Sequence, residues 1–187
     1  MTFRARRLWV ARLLCLSLLA GGYRLKAEMK ADEQTALAAR AAKAHLAPLS
    51  GYVERLSRDK PDTTEVSYVG LRCWAVYTAL GAFFQGNARD AEDRATGDKL
   101  IEQGQDFLFV ATMLDASVNK KSKEVIADQM ALLPMIYMHS IVENKKINNS
   151  VLSDLVERDI EIAKSLRPLY GRLATTIREH SSQPRSK

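Results

Sequence analysis

The residue types best suited to metal chemistry lie close together in one apolar stretch of the chain. Met135, Met138 and His139 are near neighbours, and Met130 precedes them by about one helical turn. Thioether and imidazole ligands together suit copper(I). In a helix, however, Met135 and Met138 can share a face while His139 lies on another. Met135, Met138 and His139 are therefore candidate metal ligands, and packing of flexible methionines in a core is the competing interpretation.

The sequence lacks the motifs that other metal sites and covalent haem sites require. A di-iron bundle requires Glu-x-x-His pairs, and no Glu precedes His45, His139 or His180 by three positions. Covalent haem needs Cys-x-x-Cys-His, which is absent from the sequence. Met29 and His180 have the terminal arrangement of a haem-binding bundle, but Met29 closely follows an expected cleavage site. We therefore predict no cofactor.

Cys73 is a candidate nucleophile or redox thiol, since it is the only cysteine besides Cys15. A reactive thiol needs electropositive, partly exposed surroundings. Arg72 is adjacent in sequence, but successive helical residues point about 100° apart. Cys73 also falls in a seam whose other members are all apolar: Val66, Val69, Val76, Leu80 and Phe83. We therefore expect a buried and inert thiol, with redox chemistry as the alternative.

Paired carboxylates suggest acid–base chemistry, but most lie where a helix is expected to begin. Acidic side chains in a first turn stabilise the helix dipole, which explains Asp90, Glu92, Asp93, Asp154, Glu157 and Glu161. Asp159 differs because it interrupts an apolar face, and there it needs an Arg or Lys partner from a neighbouring helix. The sequence has no G-x-S-x-G motif and no glycine-rich phosphate loop. These observations favour a protein that is not an enzyme.

Aromatic residues at helical spacing could line a pocket for a small apolar ligand. The candidates are Trp74, Tyr77, Phe84 and Phe107. Ordinary core packing is the alternative explanation, since aromatic side chains supply much of the buried area of any core.

These residues must be positioned by helices, because apolar residues recur at intervals of three and four and strand signals are nearly absent. The expected fold is all-α, with one or two shorter N-terminal helices before an up-and-down bundle, since short connections favour antiparallel neighbours. The four long helices are predicted at about 62–86, 89–118, 122–143 and 150–180.

Small residues repeat every seven positions in the second long helix, at Gly97, Gly104 and Ala111. A stripe of small residues lets a neighbouring helix approach closely. Pro134 and Pro168 lie inside predicted helices, where each removes a backbone hydrogen bond. We expect Pro134 to kink its helix and Pro168 to bend or split its own.

The net charge of +6 comes from the N-terminal segment. Residues 1–27 contain six of the 28 basic residues and no acid, so 22 basic residues remain against 22 acidic ones. A neutral remainder removes the electrostatic argument for nucleic-acid binding. Arginines at positions 4, 6 and 7, then an apolar run at 13–20, then small residues form the order of a secretory signal. Cleavage after Ala27 is preferred to cleavage after Gly22, and an uncleaved membrane anchor is the alternative.

The sequence therefore predicts a signal peptide at 1–27, one helical domain at 28–180 and a polar tail at 181–187. The expected protein is periplasmic or extracellular and has no stable membrane span in its mature part. Binding of a partner protein or a small apolar ligand is the leading function. A metal or redox protein using Cys73 or the Met/His cluster is the alternative, and an enzyme without a recognisable motif is third.

Overall fold

The computed structural model describes residues 31–56 and 60–182, and all regular structure in these ranges is helical. The predicted signal peptide at 1–27, the haem candidate Met29 and most of the predicted tail lie outside the described residues. The six helices are α1 (Ala31–Lys43), α2 (Leu49–Leu56), α3 (Thr63–Gly86), α4 (Ala91–Ser117), α5 (Lys123–Asn148) and α6 (Asp154–Ser182). The predicted all-α bundle is confirmed, with four long helices after two short ones.

Side-chain caps explain where three of the long helices begin. Asp62 accepts a hydrogen bond from the Thr64 amide, Asp90 accepts from two amides of α4, and Ser122 accepts from the Val125 amide. Each cap satisfies amides that have no partner inside the first turn. Glu65, in the first turn of α3, forms an ion pair with Arg55 of α2.

The connection between α5 and α6 lies later in the chain than the sequence predicted. The sequence predicts that this helix ends at about 143 and that the next begins at about 150, but α5 continues to Asn148 and ends where Asn149 adopts a left-handed conformation with φ of 53°. The side-chain amide of Asn144 donates to the Ser150 and Leu152 carbonyls and holds the following loop. The Val156 amide then donates to Ser153, so α6 begins at Asp154.

Helix α3 is the centre of the bundle and packs most extensively against α4. The two helices are antiparallel, because Gly70 faces Ala111 while Gly81, later in α3, faces Gly97, earlier in α4. A β-carbon on Gly81 would lie 2.6 Å from the carbonyl oxygen of Gly97. The predicted close approach along the small residues of α4 is therefore confirmed.

Helices α5 and α6 complete the bundle on the other sides of α3. Tyr170 of α6 is buried, and its hydroxyl donates to the Val66 carbonyl of α3 at 2.6 Å. Its ring lies against Phe107 of α4, with centroids 4.6 Å apart. Both helices continue through their prolines, Pro134 and Pro168, so α6 is not split.

The two short helices lie outside this four-helix core. Helix α1 packs on α5, its Leu37 and Ala41 are buried, and Arg40 forms a two-point ion pair with Asp128. Helix α2 packs on α3 and α6.

Helix α5 is the one helix in the described ranges with the length and apolar composition of a membrane span. A third, 33%, of its most apolar window is buried inside the protein. Core helices of water-soluble bundles share this composition, and α5 contacts α1, α3 and α6.

Candidate functional site

The most extensive buried polar group is an ion pair in the middle of the bundle. Arg72 of α3 and Asp159 of α6 are both enclosed, with exposed fractions of 0% and 1%. The Arg72 Nη2 donates to Asp159 Oδ2. The expectation that Asp159 requires a basic partner from a neighbouring helix is confirmed, and the partner is Arg72.

Two further groups complete the coordination of this pair. The Tyr137 hydroxyl of α5 accepts from Arg72 Nε at 2.9 Å and donates to Asp159 Oδ2. The Ala47 carbonyl, in the connection between α1 and α2, accepts from Arg72 Nη1 at 2.6 Å. Burial raises the pKa of Tyr137 well above its ordinary value, so this hydroxyl keeps its proton.

The Arg72 cluster is suited to holding helices together. The charges of Arg72 and Asp159 neutralise each other. The hydrogen bonds among the three side chains help to offset the desolvation penalty of burying them. A substrate would have to displace one of these partners. We therefore interpret Arg72, Tyr137 and Asp159 as a structural cluster.

A second buried carboxylate, Asp115, lies near the end of α4. It accepts hydrogen bonds from Asn119 Nδ2 at 2.8 Å and from Lys121 Nζ at 3.0 Å. Asn119 also bonds to the side chain and carbonyl of Thr63. This group fixes the connection between α4 and α5 to the start of α3.

Cys73 is buried among the residues that the sequence placed around it. Its exposed fraction is 0%, and Val69, Val76 and Leu80 of the same seam are buried too. Burial raises the pKa of the Cys73 thiol far above its ordinary value. The expected burial is confirmed, while the inertness of the thiol stays a prediction.

The aromatic residues proposed as a pocket lie mainly in the core. Trp74, Tyr77 and Phe107 are buried, whereas Phe84 is half-buried. Trp74 and Tyr77 contact the Gly104 region of α4. Their role as a ligand pocket stays a prediction.

The metal candidates do not share one environment. Met130 is buried, Met135 and Met138 are half-buried, and His139 is exposed. Among residues 31–56 and 60–182, no group of three or more His, Cys, Asp or Glu side chains is arranged to hold a metal ion.

An open groove lies where the end of α3 meets the second half of α5. Its volume is about 410 Å³, within the usual range of roughly 300–1,000 Å³ for ligand sites. Both helices contribute apolar side chains to its walls and polar residues to its rim. The lining residues are Ala82, Phe83, Gly86, Asn87, Met138, Val142, Lys145 and Lys146.

The polar groups of this groove differ in how far they are already paired. Lys146 forms an ion pair with Glu143 at 2.7 Å, and this contact lowers the pKa of Glu143. Lys145 Nζ donates to the Asn149 carbonyl at 3.2 Å and forms no ion pair within the described ranges. The Asn87 side chain donates to the Phe83 carbonyl at 2.8 Å and so satisfies the end of α3.

Sequence reasoning missed most of this groove. The sequence indicates Met138 as a candidate metal ligand, and it predicts that the helix ends at about 143, before Lys145 and Lys146. Phe83, the last member of the long seam and three residues before α3 ends at Gly86, was the one available signal, since it is a large apolar side chain near a helix end. The pairing of α3 with α5, which creates the groove, has no local pattern in the sequence.

No model of a known protein family matches this chain, and neither curated proteins nor solved structures show a significant similarity to it.

Proposed function

We propose that this protein is exported and acts, without catalysis, by binding a small apolar ligand in the groove between α3 and α5. The observation that supports this proposal is the groove itself. It combines an apolar wall, formed by Phe83, Met138 and Val142, with a rim of polar groups. Sites for small molecules are usually concave and mostly apolar, with a few polar groups that set the orientation of the ligand.

The proposed binding is tested with 1-octanol, an uncharged apolar probe, and the methyl resonances of the methionines. We expect the Met138 methyl signal to shift saturably with octanol, since Met138 lines the groove. The Met130 signal should stay unchanged, because Met130 is buried elsewhere on α5.

A blocking variant makes this test specific to the groove. A β-carbon at Gly86 would meet no atom within 4 Å, so Gly86→Trp can place a bulky side chain at the mouth without disturbing the core. Ala116→Trp, at an exposed position near the end of α4, is the matched control. Octanol should bind the control and not Gly86→Trp. Equal binding to both variants, or no saturable shift at Met138, would overturn the proposal.

Export is tested separately by N-terminal sequencing of protein recovered from the periplasm or medium. The first residue should lie between Tyr23 and Glu28, because the charged, apolar and small-residue segments end there. Full-length protein retained in the membrane fraction would favour the uncleaved anchor instead.

A further inference from the structure

We propose, on the basis of the binding function above, that the ligand of the groove carries an anionic head group, such as a carboxylate, and that Lys145 recognises it. The ligand class is then a single-chain amphiphile, with its apolar chain against Phe83 and Met138 and its charged end at the rim.

The distribution of charge at the rim supports this assignment. The groove is lined by two lysines and by no acidic side chain. The neighbouring Glu143 engages Lys146, which leaves Lys145 as the lining cation without a carboxylate partner among the described residues. An ammonium group that lacks an ion pair is available for a charge-assisted hydrogen bond.

The backbone at the groove does not cancel this positive character. The carboxyl end of α3 carries partial negative charge, but its carbonyls already accept hydrogen bonds. The Asn87 amide donates to Phe83 and Phe84 at 3.1 and 3.3 Å, and the Asn87 side chain donates again to Phe83. Formal charge at the rim is therefore supplied by the lysines.

The ordinary explanation of these lysines is stabilisation of the carboxyl end of α5, where both occupy the last turn. That role predicts an effect on stability and none on the choice of ligand. The two explanations can therefore be separated by comparing probes that differ only in their head group.

The experiment compares 1-octanol, octanoate and octylammonium at neutral pH, below the concentrations at which they self-associate. We expect octanoate to bind about three- to tenfold more tightly than octanol, since one charge-assisted contact is added at an open site. Octylammonium should bind more weakly than octanol. High salt should reduce the preference for octanoate.

Variants identify the recognising residue. Lys145→Gln should remove the preference for octanoate while octanol binding is retained. Lys146→Gln should reduce the preference for octanoate less, because Lys146 is paired with Glu143. Glu143→Gln should increase octanoate affinity. Lys123→Gln is the matched control, since it removes an exposed charge from the same helix about 33 Å away along its axis.

The outcomes distinguish the two proposals. If octanol and octanoate bind equally well, and Lys145→Gln changes neither, the groove binds apolar ligands and the head-group assignment is wrong. If octylammonium binds best, the assignment is also wrong. If none of the three probes binds, the proposed function fails, and the assignment fails with it.

Discussion

Arg72 of α3 and Asp159 of α6 form an ion pair that the bundle encloses completely. The same carboxylate oxygen also accepts a hydrogen bond from Tyr137 of α5. One atom of Asp159 thus joins three helices. Because both charged groups are removed from solvent, the contribution of the pair depends on all partners being present.

Asp159→Ala should lower the free energy of unfolding by about 3–5 kcal/mol, because it leaves the buried Arg72 guanidinium without its counter-charge. Urea denaturation measures this change. The control is Asp128→Ala, which breaks the exposed ion pair with Arg40 and should cost less than about 1 kcal/mol. Similar losses in the two variants would show that Arg72 is not dependent on Asp159.

Replacing both members of the pair by apolar residues extends this test. Arg72→Met combined with Asp159→Leu should be more stable than Asp159→Ala alone, since no charge is left buried.

The sequence predicts that Asp159 needs a basic partner, but it does not identify Arg72 as that partner. An acid on an apolar helix face requires a counter-charge, so Asp159 was identifiable by itself. Arg72 was not, because it lies within the long apolar pattern of α3, and only the packing of α3 against α6 brings the two together. The positions of the helices and most of their ends could be predicted from apolar periodicity and capping residues, because both are local features of the sequence. The groove depends on α3 lying beside α5, far away in sequence, and no local pattern encodes that.

Gly81→Ala should destabilise the protein by about 1–3 kcal/mol or more, as overpacking does. Its β-carbon would lie 2.5 Å from the Ile101 side chain and 2.6 Å from the Gly97 carbonyl oxygen, and the backbone cannot move easily. Gly86 lies in the same helix, but a β-carbon there would meet no atom within 4 Å. Gly86→Ala should therefore stabilise the protein by about 0.4–1 kcal/mol, since it restricts the unfolded chain. Thermal denaturation compares the two. Equal effects would contradict the close contact of α3 and α4.

Native Cys73 should react slowly with a thiol reagent and quickly once the protein is unfolded, because the buried thiol keeps its proton. Cys73→Ser should cost about 1–3 kcal/mol, since a hydroxyl is harder to bury without a partner than a thiol. Cys73→Ala should cost somewhat less. Rapid labelling of the native protein, or a disulfide-linked dimer without reductant, would favour the redox alternative. The emission of the neighbouring Trp74 should be that of a buried indole.

The contribution of the buried tyrosines to stability should fall as the pH rises above about 10, the ordinary pKa of tyrosine. Burial raises the pKa of Tyr137 and of Tyr170 in the folded protein. The folded state then holds protons that the unfolded chain loses, so this contribution is fully present below about pH 10 and is lost above it. Tyrosine absorbance should report ionisation of these groups together with unfolding, and Tyr170→Phe should weaken the pH dependence. Ionisation of all tyrosines in a protein that stays folded would contradict their burial.

The three partners of Arg72 lie 25, 65 and 87 residues from it along the chain. A bundle that enclosed this side of α3 before both α5 and α6 were in place would bury a guanidinium that lacked Tyr137 or its counter-charge Asp159. Desolvating that group alone is unfavourable, whereas forming such distant contacts is intrinsically slow. Arg72 therefore discourages half-assembled states, and it makes the arrival of α5 and α6 a condition for burying the centre of α3. The side chain that joins three helices in the finished protein thus ties the burial of each of them to the presence of the others.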